Sequence, residues 1–389
     1  MVGRPFDFFS TPRIVFGRGV IARLGDVVRP LGGRALVVFN GAAQPQVVEL
    51  LAAAGAGQVS LRQRGEPTTE HIAQGVGLAQ REHCDVVIGV GGGSAIDAAK
   101  AIAGVVANGG GVLDYMEVVG AGKPIAKPAL PWVAVPTTAG TGAEVTRNAV
   151  IGEPSKKFKA SLRSELLLPR VALVDPELGA GVPPAVTASS GMDALCQLIE
   201  SFTSTNAQPM TDALAREGIE RAARSLARAY RDGADLDARE DMALAALLSG
   251  ITLTNAGLGA VHGFAAPLGA NFPVPHGTAC AALLPHVMAA NVAALRAQSP
   301  AHPTLARYAI VGRLLAAQEF GSDAAAIDAG VERVAQLSRE LNIPRLSHYG
   351  LTERHVPDMV ALARRASSMR YNPVVLTDAV LADVLRRAI

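Results

Sequence analysis

Short apolar runs alternate with helical patterns over the first half of the chain. The apolar runs are rich in β-branched residues and unbroken by polar ones, which is typical of strands buried on both faces of a parallel sheet. Alanine-rich segments with helical periodicity separate them, as crossover helices do. This pattern predicts strands over 35–39, 85–90, 132–136 and 171–174 and helices near 44–55, 69–83 and 94–107.

Beyond Pro183 and Pro184 the strand pattern ends and long helical patterns fill the rest of the chain. Ala and Leu on one face with Arg and Glu on the other are typical of bundle helices that have one face in water. The predicted helices cover 186–203, 209–232, 238–256, 276–296, 303–316 and 323–341. We therefore predict an α/β domain over residues 1–178 and an all-helical domain over 179–389, divided at the turn after Asp175-Pro176.

Composition narrows the class of protein. A chain of 389 residues is long enough for two domains. Its 36 Lys and Arg against 34 Asp and Glu give a net charge of +2, which argues against binding to nucleic acid or to an acidic membrane surface. No uninterrupted apolar run approaches the roughly 18 residues of a membrane span. Widely spaced cysteines (Cys84, Cys196, Cys280) and a start without a signal-peptide pattern lead us to expect a cytoplasmic protein.

A glycine-rich loop joins the predicted strand 85–90 to the following helix. Gly91, Gly92, Gly93 and Ser94 leave backbone N–H groups exposed at the helix start, where the helix dipole favours an anion. Strand, glycines and helix together favour a phosphate site over the alternative, a tight structural turn. The loop follows a later strand than the usual dinucleotide fingerprint does, so it does not imply the standard Rossmann strand order.

A second polar loop, PTTAGTGAEVT at 136–146, follows the predicted strand 132–136. Its threonines are Thr137, Thr138, Thr141 and Thr146. Loop threonines often bond their own backbone, which is the alternative here. At the carboxyl end of a strand, where open α/β sheets bind ligands, they are better placed to line a cofactor cleft.

Candidate metal ligands lie in the helical half. Asp193 and Gln197 are four residues apart and share one helix face. His262 and His276 lie far downstream, each next to a glycine in an apolar context. One carboxylate with two histidines suits a divalent transition metal that keeps positions open for a substrate oxygen, although separated histidines are more often structural.

Five ordered motifs, GGGSAIDAAK, PTTAGTGAEVT, DPEL, GMDAL and PLG…PHG, resemble the iron-containing (group III) alcohol dehydrogenase family from about residue 10 to the C-terminus. The resemblance implies an N-terminal dinucleotide-binding α/β domain and a helical C-terminal domain, a fold shared with dehydroquinate synthase. It also implies NAD(P)-dependent interconversion of an alcohol and a carbonyl compound in the cleft between the domains, and a homodimer.

The resemblance assigns roles residue by residue. Cofactor-binding positions are Gly92, Gly93, Ser94, Asp97, Thr137, Thr138, Thr141, Thr146, Asn148 and Lys159. Lys159 also fits an exposed basic strand, and that interpretation stays open. Asp193, His262 and His276 match three of the family's four metal ligands and form the predicted catalytic centre.

Two positions depart from the family pattern. Gln197 stands where the family usually has its fourth metal-binding histidine, and an amide oxygen is a weaker and harder ligand than imidazole. Ala266 stands where the family has a histidine near the substrate, a candidate proton relay. We expect a divalent metal, iron or zinc, on Asp193, His262 and His276, with Gln197 completing the shell or orienting a water.

The nucleotide preference depends on the residue after the first predicted strand. NAD-specific members of the family often have an acidic residue where this chain has Asn40. A carboxylate repels the 2′-phosphate of NADP and asparagine does not, so NAD and NADP both stay open as cofactors.

The leading prediction is a metal-assisted, NAD(P)-dependent alcohol dehydrogenase acting on a small molecule. A metal-independent carbonyl reductase of the maleylacetate reductase type and a nucleotide-binding protein without turnover are the alternatives, because both departures fall in the reaction centre. A lyase of the dehydroquinate synthase type needs a basic phosphate pocket, and the helical half shows no clear cluster of Lys, Arg and His for one.

Overall fold

A computed structural model describes residues 5–156 and 158–389, so the first four residues of the predicted α/β domain lie outside the described part. The chain forms two compact units. The sheet unit is Phe9–Val182, and the helical unit is Pro183–Ile389 together with the described residues 5–8. The change between units therefore falls a few residues after the position near 178 at which the sequence analysis divides the chain.

A six-stranded parallel sheet forms the centre of the sheet unit, with strand order β1-β8-β5-β4-β2-β3. The strands are β1 (Ile14–Phe16), β2 (Arg34–Phe39), β3 (Gly57–Arg62), β4 (Val86–Gly91), β5 (Trp132–Pro136) and β8 (Val171–Val174). All four strands predicted from apolar runs are present, and the two that the pattern missed, β1 and β3, lie at the sheet edges.

Helices cover both faces of this sheet, and the residues of β2 are accordingly buried on both faces. Leu36 and Val38 belong to one buried apolar cluster, whereas Ala35 and Val37 belong to the other. Side chains of a strand alternate between faces, so both faces of β2 are buried, as a parallel sheet requires. The helices are α1 (Leu24–Val28), α2 (Gln44–Ala53), α3 (Thr69–Arg81), α4 (Gly93–Asn108) and α5 (Val112–Tyr115).

The strand order reverses between β2 and β4. From β2 the chain passes outward to β3, then returns to β4 on the other side of β2 and continues to β5. The carboxyl ends of two neighbouring strands whose connections leave in opposite directions form a crevice, which is where open α/β sheets bind ligands. Asn40 follows β2 and Gly92 follows β4, so both lie at this point.

An antiparallel hairpin in the sheet unit was not predicted. Its strands are β6 (Asn148–Glu153) and β7 (Phe158–Arg163). Residues of β6 alternate between half-buried and buried, so the hairpin lacks the unbroken apolar run by which the main strands were found.

The described residues of the helical unit contain helices and no strand, as predicted. The α-helices are α6 (Pro184–Thr203), α7 (Pro209–Arg231), α8 (Leu236–Ala256), α9 (Ala260–Asn271), α10 (His276–Gln298), α11 (Pro303–Ala316), α12 (Asp323–Glu340), α13 (Val356–Arg365) and α14 (Asp378–Ala388). Helix α6 packs against α7, α8 and α10, and most of its residues are buried. A polar side chain on α6 is therefore held inside the protein.

A sharp bend between α8 and α9 returns the chain to α6. The two helix axes differ by 102°. Gly257 ends α8 with φ 73°, a backbone conformation that favours glycine. Five residues later, His262 lies against Asp193 of α6.

Helix α10 is long and apolar enough to cross a membrane, with a mean hydropathy of 1.5 over its most apolar stretch. However, 67% of that stretch is buried inside the protein, which is typical of a core helix. The bent pair α8 and α9 passes the same length and hydropathy test.

Candidate active site

The glycine loop is held in place by the side chain of Asn40. The Asn40 Oδ1 accepts a hydrogen bond from the backbone N–H of Gly92 at 2.8 Å, and its Nδ2 donates to Ser94 Oγ at 2.8 Å. Gly91 has φ 141°, and a Cβ at this position would overlap the Asn40 side chain. Asn40 thus positions the loop that opens α4, a role that the sequence analysis did not foresee.

The threonine loop packs directly on the glycine loop. The backbone N–H of Thr137 donates to Gly91 O at 2.9 Å. A Cβ added at Gly93 would lie 2.7 Å from Thr141 Oγ1, and one at Gly92 would lie 3.3 Å from Thr138 Oγ1. Three of the predicted threonines are therefore within contact distance of the predicted phosphate loop.

Thr146 belongs to a buried network centred on Lys100. The ammonium of Lys100, which is fully buried, donates to Thr146 Oγ1 at 2.7 Å and to Asn148 O at 2.6 Å. It also donates to Ala143 O at 2.9 Å and lies 3.5 Å from Asp97 Oδ1. Lys100 was missed from the sequence, although its three-residue spacing from Asp97 places both on one face of α4.

Burial controls the charges in this network. It lowers the pKa of Lys100 and raises that of Asp97, and their mutual attraction opposes both shifts. Asp97 Oδ2 accepts a hydrogen bond from Val150 N at 3.0 Å, so Asp97 ties α4 to β6. Burial also raises the pKa of Glu144 to about 7.

Lys159, on β7, lies with its Nζ 3.9 Å from a carboxylate oxygen of Glu66. Its side chain is 17% exposed and that of Glu66 is 52% exposed. The segment forms a strand, β7, as the alternative interpretation expects, but the Lys159 side chain is largely buried and not exposed. The proposed cofactor contact stays a prediction.

The helical unit brings Asp193, His262 and His276 together. His262 Nε2 lies 3.2 Å from Asp193 Oδ1, and His276 Nε2 lies 3.7 Å from the same oxygen. Asp193 is 1% exposed and His262 is 7% exposed, whereas 35% of the His276 side chain is accessible. Three residues that are far apart in the sequence thus direct one nitrogen or oxygen atom each to a common point.

The opposite edge of the His262 ring faces a second carboxylate. Glu200 Oε2 lies 2.7 Å from His262 Nδ1, and Glu200 Oε1 accepts a hydrogen bond from Val261 N at 2.8 Å. A neutral imidazole has one N–H, so it cannot donate to both Glu200 and Asp193. A cation at Nε2, either a proton or a metal ion, satisfies both carboxylates, and the site therefore fits a divalent metal.

The pKa shifts within the cluster agree with a cation, either a proton or a metal ion, at this site. Burial raises the pKa of Asp193, but His276 and His262 outweigh it and the pKa is lowered. Burial lowers the pKa values of both histidines, but nearby Cys280 and Asp193 outweigh it. The pKa of His262 is raised well above its usual value and that of His276 rises to about 9. Without a metal, the cluster therefore retains protons.

Gln197 lies beside Asp193 on the next turn of α6. Its Nε2 donates to Asp193 Oδ2 at 3.2 Å, and its Oε1 accepts a hydrogen bond from Ser249 Oγ at 2.8 Å. In this arrangement the amide N–H group, and not the oxygen, faces the cluster. The role of Gln197 as a ligand stays a prediction.

Cys280 also lies in the cluster, although the sequence analysis did not include it among the candidate ligands. Its Sγ lies 3.6 Å from His262 Nε2 and 3.7 Å from His276 Nε2. A buried cysteine usually has apolar surroundings, whereas Cys280 is buried against the polar atoms of this cluster. A signal existed, because His276 and Cys280 are four residues apart on a helix and therefore share a face. Ala266, the second position that departs from the family pattern, lies one turn after His262 on α9.

Both halves of the chain match family models. Residues 11–176 match the iron-containing alcohol dehydrogenase model, and residues 187–389 match the C-terminal model of the same family. The chain belongs to the iron-containing alcohol dehydrogenase family. The predicted family and fold are therefore confirmed, as is the predicted class of reaction: the protein is an oxidoreductase that interconverts a small alcohol and a carbonyl compound.

Relatives in this family align over nearly the whole chain. The NAD-dependent methanol dehydrogenase of Bacillus methanolicus is 32% identical, covering 98% of this chain and 100% of the relative. The 1,3-propanediol dehydrogenase of Klebsiella pneumoniae is 34% identical, covering 99% of each chain. A crystal structure of a 1,3-propanediol oxidoreductase superposes with a TM-score of 0.93 at 33% identity, covering 99% of this chain and 100% of that one.

Proposed function

We propose that this chain is an NAD-dependent dehydrogenase of small primary alcohols with a divalent metal held by Asp193, His262 and His276. The observation that carries the proposal is the convergence of these three side chains on one buried point. The substrate class is supported by relatives named for methanol and 1,3-propanediol, and the cofactor by the NAD-dependent methanol dehydrogenase.

The metal site would use a divalent cation, iron or zinc, which supplies a Lewis acid for the oxygen of the alcohol or carbonyl group. Asp193 provides the carboxylate and the two histidines provide Nε2 atoms. Glu200 fixes the orientation and tautomer of the His262 ring through Nδ1, as carboxylate partners of metal-binding histidines commonly do. The deep burial of Asp193 and His262 excludes water from one side of the site.

The cofactor site would use the loops at the carboxyl ends of β4 and β5. NAD accepts or donates the hydride at its nicotinamide ring. The backbone N–H groups of Gly93 and Ser94 at the start of α4 would bind the pyrophosphate, and Gly92, whose N–H donates to Asn40, would let it approach the loop closely. Thr138 and Thr141 would contact the nucleotide because they line the glycine loop. Asn40 adds no negative charge here, so NADP is admissible as a weaker or alternative cofactor.

The proton path must differ from that of relatives with a histidine at position 266. Ala266 has no acidic or basic group. We infer that the alcohol proton leaves to water at the accessible side of the site, where 35% of the His276 side chain is exposed.

The test is NADH formation from a panel of primary and secondary alcohols and diols, before and after removal of metal by a chelator. We expect turnover with primary alcohols that is lost on chelation and restored by iron or zinc. His262→Ala should abolish turnover, whereas His286→Ala, on α10 outside the cluster, should retain it.

The alternatives give different results in the same assay. Turnover that survives both chelation and His262→Ala would identify a metal-independent carbonyl reductase. Tight NADH binding without turnover on any alcohol or carbonyl substrate would identify a nucleotide-binding protein. Either result contradicts the proposal.

A homodimer in the cytoplasm is the expected state of the protein. Light scattering coupled to size exclusion tests the dimer, since a monomer has a mass of 40.1 kDa. Cell fractionation tests the location.

A further inference from the structure

Cys280 contacts the atoms that the proposed function assigns to the metal. Its Sγ lies 3.6 Å from His262 Nε2 and 3.7 Å from His276 Nε2. Asp193, His262, His276 and Cys280 each offer one ligand atom, and all four atoms lie within 4.8 Å of one another. We propose that Cys280 is the fourth protein ligand of the metal and replaces the histidine that Gln197 has displaced.

The distances between ligand atoms support this assignment. With metal–sulfur bonds of about 2.3 Å and metal–nitrogen bonds of about 2.0–2.1 Å, tetrahedral angles place sulfur about 3.5–3.6 Å from each nitrogen. The observed distances from Cys280 Sγ to the two imidazoles are 3.6 and 3.7 Å. The same arithmetic gives about 3.3 Å between a carboxylate oxygen and a nitrogen, against 3.2 Å from Asp193 to His262 and 3.7 Å from Asp193 to His276.

Gln197 is a poorer fourth ligand in this arrangement. A metal accepts electron pairs, so an amide binds it through oxygen. The oxygen of Gln197 accepts a hydrogen bond from Ser249 Oγ at 2.8 Å, and the N–H group faces Asp193. Gln197 is therefore a positioning residue that donates to the carboxylate ligand, and the thiol of Cys280 takes the vacated coordination position.

Metal binding converts the Cys280 thiol to a thiolate. The S–H bond breaks, a sulfur–metal bond forms, and the proton passes to solvent without any change of oxidation state. A thiolate makes the site softer than a set of one carboxylate and three imidazoles, which favours zinc over iron. The inference rests on the proposed metal site, but not on the identity of the alcohol.

The experiment uses Co²⁺, which reports its ligands by absorption. Purified protein is stripped of metal, titrated with Co²⁺ and followed from the near ultraviolet to the visible. We expect saturation at one Co²⁺ per chain with an intense thiolate-to-cobalt charge-transfer band. Cys280→Ala should lose this band and bind Co²⁺ at least about tenfold more weakly. It should also release one proton fewer per metal bound, measured with a pH indicator at the same pH.

Cys196→Ala is the matched control, because Cys196 is equally buried and its Sγ lies 3.9 Å from the other nitrogen of His262. This variant should keep the band.

Three outcomes would contradict the proposals. A band that is lost in Cys196→Ala and kept in Cys280→Ala overturns the assignment. Stoichiometric Co²⁺ binding by the unaltered protein without a charge-transfer band also overturns it, while the proposed metal site stands. Failure of the unaltered protein to bind Co²⁺ overturns both. The spectrum of the unaltered protein alone shows whether a thiolate binds the metal, so the proposal can be overturned even if a variant fails to fold; the two variants decide between Cys280 and Cys196.

Discussion

Glu200 holds His262 from the side opposite Asp193, with Glu200 Oε2 2.7 Å from His262 Nδ1. The same carboxylate accepts a hydrogen bond from the backbone N–H of Val261 at 2.8 Å. Glu200 is therefore bonded both to the ring and to the first turn of α9, and it fixes the direction in which His262 Nε2 points.

Replacing Glu200 by glutamine should weaken metal binding. The variant keeps the shape of the side chain but loses the negative charge that orients His262 and raises its basicity, and such changes typically cost about 10–100-fold in metal affinity. Competition with a chromophoric chelator measures the dissociation constant. Glu332→Gln, in an exposed ion pair with Arg339, is the control and should leave the affinity unchanged. An unchanged affinity in Glu200→Gln would show that the carboxylate does not act through His262.

Gly93→Ala should impair cofactor binding. Its Cβ would lie 2.7 Å from Thr141 Oγ1, so the threonine loop must move away from the start of α4. We expect KM for NAD⁺ to rise at least about tenfold, equivalent to about 1.4 kcal/mol. Gly181→Ala in the same unit is the control, because its Cβ would meet no atom within 4 Å. Equal KM values for the two variants would remove the glycine loop from the cofactor site.

Lys100→Met should destabilise the sheet unit. Methionine fills a similar volume but leaves Asp97 without its cation and removes hydrogen bonds to Thr146 and Asn148. Removing one member of a buried ion pair lowers the free energy of unfolding by about 3–5 kcal/mol, because the other charge stays buried without a partner. Urea unfolding measures the change. Lys123→Met, in an exposed pair with Asp114, should have a much smaller effect. If Lys100→Met and Lys123→Met lost similar amounts of unfolding free energy, the buried network around Lys100 would not stabilise the sheet unit.

Glu144 should make stability depend on pH. Its pKa in the folded protein is about 7, above its usual value of 4.5, because burial disfavours the carboxylate. The folded state therefore keeps a proton that the unfolded state releases between these values. Its contribution to stability is full below pH 4.5 and is lost as the pH rises towards 7, at roughly 1.4 kcal/mol per pH unit at most. Glu144→Gln should flatten unfolding free energy against pH over this interval, and an unchanged slope would assign the dependence to another group.

The sequence predicted the elements whose burial is uniform. Strand β4 is buried at every position, so its apolar run is unbroken. Edge strand β3, in contrast, has no fully buried residue and reads as a polar segment, because it pairs with β2 alone. Helix α9 was not predicted, because Gly263 and Pro267 interrupt its helical pattern. The packed helix nevertheless contains both residues.

The sequence motifs selected three side chains that the structure brings together, and did not select two of their neighbours. Asp193, His262 and His276 are brought together as expected. The neighbours that complete the cluster, Glu200 and Cys280, depend on how α6, α9 and α10 face one another, and helix facing is set by tertiary contacts that a single sequence does not specify.

Gln197→Met separates the two possible roles of Gln197. Methionine has a similar length and volume but cannot donate to Asp193 Oδ2. The single O–H of Ser249 keeps a partner in this variant, because it can donate to Ala246 O, which lies 2.8 Å from Ser249 Oγ. If Gln197 only positions Asp193, the affinity for Co²⁺ falls by no more than about tenfold to a hundredfold, the range for residues that orient ligands. The Co²⁺ spectrum should then keep its shape, because no ligand has changed. A larger loss of affinity, or a change in the number or energies of the visible bands, would place the Gln197 oxygen on the metal, and the hydrogen bond to Ser249 would then have to break when metal binds.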